Sequence, residues 1–65
     1  MLELTKKLIK EEEELSKKIE NLKAFLQTDT YKNLSDIEKV NLIEQKAYMC
    51  SYRYILKKRI RFYEE

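Results

Sequence analysis

Six residues in the C-terminal half of the chain are of types that could together bind an aromatic, anionic ligand such as a nucleotide: Gln45, Tyr48, Tyr52, Arg53, Lys57 and Arg59. A tyrosine ring offers a flat face on which a base can stack, and a hydroxyl that hydrogen-bonds. Arginine and lysine bring charge to phosphate oxygens, arginine through a planar fork of donors. A glutamine amide reads a base or ribose edge with an acceptor and two donors. Tyr48, Tyr52, Tyr54 and Tyr63 are interleaved with Arg53, Lys57, Lys58, Arg59 and Arg61, and Tyr31 precedes them in the middle of the chain. Each type also has a plain role, the tyrosines as half-buried packing and the basic residues as a solvated helix face. Gln45 and Arg59 stand at positions that periodicity predicts to be buried. There they either fix the register of a helical bundle or face a ligand between subunits.

Catalysis finds little support. The chain has no histidine and no glycine, hence no glycine-rich phosphate loop, and Cys50 is its one cysteine. The carboxylates fall on surface stripes with no shielded pair among them. The expectation is a protein that is not an enzyme, with no catalytic residue, no metal ligand set and no cofactor. Cys50 sits in an apolar face and reads as packing. Fourteen basic against 12 acidic residues leave a net charge of +2, too weak a bias to imply long nucleic acid as the partner. No apolar run approaches the roughly 18 residues a membrane span needs, and the acid-rich residues 1–27 do not read as a signal peptide. A single thiol suits a reducing cytoplasm.

Two helices must position these residues, within one domain spanning residues 1–65. The first is expected over about residues 2–27. Leu4, Leu8, Leu15, Ile19, Leu22 and Leu26 fall in a stripe about 60° wide, with Glu12 at the seam position between Leu8 and Leu15. Residues 28–35 form the connection, where Thr28, Asp29, Thr30 and Asn33 favour caps and turns and Tyr31 and Leu34 tuck onto the hairpin end. Ser35-Asp36-Ile37-Glu38 is a capping box that starts the second helix, expected over about residues 36–62.

That second helix shows two apolar faces. One holds Ile37, Leu42, Tyr48, Met49, Tyr52, Ile55, Leu56 and Ile60; the other holds Val40, Ile43, Ala47, Cys50 and Tyr54. A basic ridge, Lys39, Lys46, Arg53 and Lys57, is expected to run between them. Helix one can cover only one such face. With 65 residues and no possible intrachain disulfide, the chain is expected to be an all-α, antiparallel two-helix hairpin assembling into a homo-oligomeric helical bundle.

Within helix two, the spacing Gln45-x-x-x-Met49-x-x-Tyr52-x-x-Ile55-Leu56-x-x-Arg59-Ile60 resembles the C-terminal signature of a widespread family of short phage and prophage proteins related to a small crAss-like phage protein. The likeness spans roughly residues 15–62. The architecture is also similar to the hairpin domain of phage sponge proteins that block the CBASS and Thoeris defences. The resemblance implies an oligomer in the host cytoplasm that binds a cyclic dinucleotide or cyclic ADP-ribose isomer without cleaving it. Gln45, Tyr48, Tyr52, Arg53, Lys57 and Arg59 are the implied binding residues. The alternative is a structural or regulatory coiled-coil module that binds a host or phage protein through the same apolar excess.

Overall fold

The computed structural model describes residues 2–64 of the chain. It is all-helical, with α1 at Glu3–Phe25, a single turn α2 at Asp29–Lys32, and α3 at Asp36–Glu64. Helices α1 and α3 pack side by side into a rod of 46 × 15 × 13 Å. The short connection forces them antiparallel. α1 fades through tightened bonds from the Gln27 amide to the Ala24 carbonyl (3.1 Å) and from the Thr28 amide to the Phe25 carbonyl (3.0 Å). Thr28 then turns extended and caps α2, its Oγ1 accepting from the Tyr31 amide at 3.2 Å and donating to the Phe25 carbonyl at 2.7 Å. Among the described residues no backbone φ is positive, so the turn needs no glycine. Ser35 Oγ accepts from the Glu38 amide at 3.2 Å, and through this bond the expected capping box starts α3. Tyr31 closes the hairpin end: its ring stands edge-on to Phe25 at 6.3 Å, with the Lys39 ammonium 6.0 Å from its centre.

The contact seam alternates steps of three and four on both helices, the spacing of a coiled coil. On α1 it is Thr5, Leu8, Glu12, Leu15, Ile19, Leu22 and Leu26, all buried or half-buried. Leu8, Ile19 and Leu56 form the buried apolar core, each worth about 1.5–3 kcal/mol. At the start of α1 the expected stripe is corrected. Leu4 is 42% exposed, whereas Thr5 is buried. The step from Glu12 back to Leu8 is four, so the next step in an alternating seam is three, which lands on Thr5.

On α3 the seam is Lys39, Leu42, Lys46, Met49, Arg53, Leu56 and Ile60, again buried or half-buried. The basic ridge keeps its expected place between the two apolar faces, and α1 draws it half into the contact: Lys39, Lys46 and Arg53 alternate along the chain with the aliphatic residues that α1 covers. Long basic side chains tolerate this because their methylene stems pack against apolar neighbours while their charged heads reach for the rim. Helix α1 therefore covers neither apolar face of α3 as a whole. It takes Leu42, Met49, Leu56 and Ile60 and leaves Ile37, Tyr48, Tyr52 and Ile55 exposed on one flank. Val40, Ile43 and Tyr54 are exposed on the other.

Candidate functional site

The six residues expected to recognise a nucleotide divide into two groups. At 100° per residue, Gln45, Tyr48, Tyr52 and Arg59 lie within about 60° of α3 surface, and all four are exposed. The expectation that Gln45 and Arg59 are buried is overturned, because the seam passes one step round the helix from them. Arg53 faces α1 and is half-buried. Lys57 lies beyond it, its Nζ 3.5 Å from Glu12 Oε1. One hairpin thus gathers four of the six on a single flank and sends the other two toward the seam.

The four on the flank are set by their neighbours. Tyr48 is 73% exposed, its ring free on one side of the rod. Gln45 Nε2 donates to Met49 Sδ at 3.7 Å, which holds the amide along the helix. Tyr52 donates its hydroxyl to Glu11 Oε2 on α1. This bond pushes the Tyr52 pKa above its ordinary 10.0, and desolvation and the Glu11 charge act the same way, while the Arg59 charge opposes them. Tyr52, Glu11 and Arg59 therefore form one electrostatic group across the two helices.

Arg59 also lines an open depression of ≈ 390 Å³ with Ile55, Lys58, Phe62 and Tyr63. Phe62 and Tyr63 meet edge-to-face at 5.3 Å. The combination of ring faces, an aliphatic floor and two cations suits an anion attached to a flat heterocycle. On the opposite flank a second depression, ≈ 440 Å³, is lined by Ile9, Glu12, Lys57, Ile60, Arg61 and Glu64. Its two carboxylates make it a poorer host for an anion. Glu12 is already engaged there, its Oε1 accepting from Ser16 Oγ at 3.0 Å as well as meeting Lys57.

Lys58 and Tyr63 belong to the interleaved basic and aromatic residues noted in the sequence, whereas Glu11, Ile55 and Phe62 enter the site without having been singled out there. Glu11 was hidden in the acidic run Glu11–Glu14, which reads as solvated surface. The signal for the others was present: Gln45, Tyr48, Tyr52, Ile55, Arg59 and Phe62 alternate steps of three and four, a second seam on the same helix.

Fold and flank together define a small all-helical hairpin that displays stacking rings, an amide and guanidinium charge along its longer helix. The chain belongs to the Sequestin family, whose profile matches residues 3–62. No curated protein and no solved structure matches it.

Proposed function

We propose that this chain captures a nucleotide second messenger, a cyclic dinucleotide or cyclic ADP-ribose isomer of a bacterial defence such as CBASS or Thoeris, and holds it without cleaving it. The family name denotes sequestration. The observation that carries the reading is the flank of α3, where Gln45, Tyr48, Tyr52 and Arg59 share one exposed surface beside the ≈ 390 Å³ depression. Tyr48 and Tyr52 stack on base rings, Arg59 and Lys58 meet phosphate, and Gln45 reads a base or ribose edge. Glu11 adds an acceptor for a ribose hydroxyl or an exocyclic amine, which selects a nucleoside phosphate over a bare phosphate. Arg53 and Lys57 supply background positive potential from the seam side.

Capture alone is sufficient for such a role. A protein in excess of its ligand lowers the free concentration by mass action, and a dissociation constant near 1 nM corresponds to about −12 kcal/mol. Calorimetry with a panel of cyclic dinucleotides and cyclic ADP-ribose isomers tests the proposal. The expected result is saturable heat with at least one of them, with the ligand recovered chemically intact. Arg59→Ala is expected to weaken that binding by at least about tenfold, a change of roughly 1.4 kcal/mol. The absence of heat for every member at micromolar protein overturns the reading in favour of a coiled-coil module for a protein partner, which the exposed Tyr48 and Phe62 also suit.

A further inference from the structure

Three positions of the covered seam are filled in a way that does not help the hairpin fold. Lys39, Lys46 and Arg53 are half-buried where α3 meets α1, and an aliphatic side chain at each would add apolar burial. Among the described residues none of the three has a carboxylate within ion-pair distance. Glu12, the acid of the α1 seam, is held by Lys57 at 3.5 Å and by the Ser16 hydroxyl at 3.0 Å. Glu20 is exposed on the same side of α1 and pairs with none of them. Departures of this kind from local folding rules concentrate where residues have a task besides folding.

The three cations are in register. Each step between them is seven residues, about 10.5 Å along the helix. At 100° per residue they share about 40° of α3 surface with Lys57, and Arg61 follows about 40° further round, all on the side of the seam away from Tyr52 and Arg59. Their stems pack and their heads reach outward, so one edge of the hairpin carries positive charge over about 33 Å, from Lys39 to Arg61. A lone phosphate can meet only part of this row, whereas a chain of phosphates can follow it. Ring faces beside the row are already engaged. Tyr31 meets Phe25 and the Lys39 ammonium, and Tyr54 has the Lys58 ammonium 5.4 Å from its centre. A nucleic-acid strand needs free rings on which to stack its bases; a bare phosphate chain needs none.

We propose that this edge binds a linear polyphosphate chain, which neutralises Lys39, Lys46 and Arg53 and thereby tightens the contact between α1 and α3. Charge-assisted bonds to phosphate oxygens are stronger at a partly desolvated rim than on open surface. Unfolding scatters the row, so the anion binds the folded hairpin better and stabilises it by the difference. The site lies apart from the Gln45–Arg59 flank and does not depend on nucleotide capture.

Thermal melting of the full chain, followed by circular dichroism, tests the assignment. Long-chain polyphosphate is compared with sodium chloride and sodium sulfate at matched ionic strength. Saturating polyphosphate is expected to raise the melting temperature at least about 4 °C beyond either salt. The double variant Lys39→Met, Lys46→Met is expected to melt higher than the parent in chloride and to lose most of the polyphosphate shift. If it loses its helical signal, Lys46→Gln alone serves, with a reduced shift. Arg59→Ala, on the other side of the seam, is expected to keep the shift. No shift beyond that in sulfate, a full shift in the lysine variants, or loss of the shift in Arg59→Ala overturns the assignment. A larger shift with oligothymidylate of equal charge overturns it in favour of a nucleic-acid strand. Because no nucleotide messenger takes part, failed calorimetry leaves this result standing, and a failed shift leaves capture to be judged by calorimetry.

Discussion

Helix α3 carries two seams of the same spacing, one step apart round its surface, and they have opposite fates. The seam that α1 covers holds Leu42, Met49, Leu56 and Ile60, but Lys39, Lys46 and Arg53 interrupt it. The flank left in solvent is the more aromatic of the two, with Tyr48, Tyr52, Phe62 and Tyr63. Apolar content alone would have chosen the aromatic side for burial. The choice is made by α1, whose narrow stripe of leucines and one carboxylate fits thin aliphatic knobs and the stems of long cations better than it fits tyrosine rings. A polar residue in the covered seam costs the hairpin; a ring on the open flank costs it little and remains available to something else.

Four substitutions break or sharpen this contrast. Leu56 is fully buried in the covered seam. Leu56→Ala should cost about 2–5 kcal/mol, against the roughly 3–5 kcal/mol that so small a core supplies. The expected outcome is loss of the cooperative thermal transition followed by circular dichroism; a melting temperature within a few degrees of the parent contradicts the assigned core. Next comes Arg53, half-buried and, among the described residues, without a carboxylate within ion-pair distance. Arg53→Leu should stabilise the hairpin by up to about 1 kcal/mol in denaturant titrations, because a half-buried side chain whose guanidinium is held at the rim is replaced by apolar packing. Arg59→Leu on the open flank should change hairpin stability by less than about 0.5 kcal/mol while weakening the proposed nucleotide binding at least about tenfold. Equal effects of the two changes on folding would erase the distinction between the seams.

A comparable gain, about 1 kcal/mol, is expected for Glu12→Leu, which fills the one acidic position in the α1 seam and releases Lys57 to solvent. A loss of that size would instead make the Glu12–Lys57 pair a net support of the hairpin. The smallest effect concerns pH. Tyr52 has its folded-state pKa raised above 10.0, first by its bond to Glu11. A raised value favours the neutral phenol, so the contact is intact below about pH 10 and is lost as pH rises through the raised value. The difference in phenolate absorbance between the parent and Tyr52→Phe isolates this one titration. Its midpoint should lie above 10.0 in the parent and fall in Glu11→Ala; a midpoint at or below 10.0 in the parent removes the contact from the account.

Much of the fold was legible from the residues. Leu8, Leu15, Ile19, Leu22 and Leu26 mark the covered stripe of α1 without ambiguity, and Ser35 with Glu38 marks where α3 starts. Glu12 was readable as a seam position because the spacing on either side leaves no other. The face of α3 that meets α1 was not readable. Its apolar residues wrap most of the helix, so periodicity offers several seams and cannot rank them without knowing the shape of the partner stripe. The same gap left open whether Lys39, Lys46 and Arg53 would be covered, and it let Gln45 and Arg59 pass for buried. Glu11 was illegible for another reason: its role depends on a contact with Tyr52, 41 positions away in sequence, and no local pattern encodes that.

A body only 15 × 13 Å in cross-section has almost no inside. Among the described residues three apolar side chains are truly enclosed, so steric selection acts on a handful of sites, and nearly every other position answers to water or to whatever touches the surface. Amino-acid identities can then drift quickly while the rhythm of threes and fours persists. Kinship among such rods is written in cadence more than in letters, and a comparison that scores letters will lose the thread well before the shape or the task has changed.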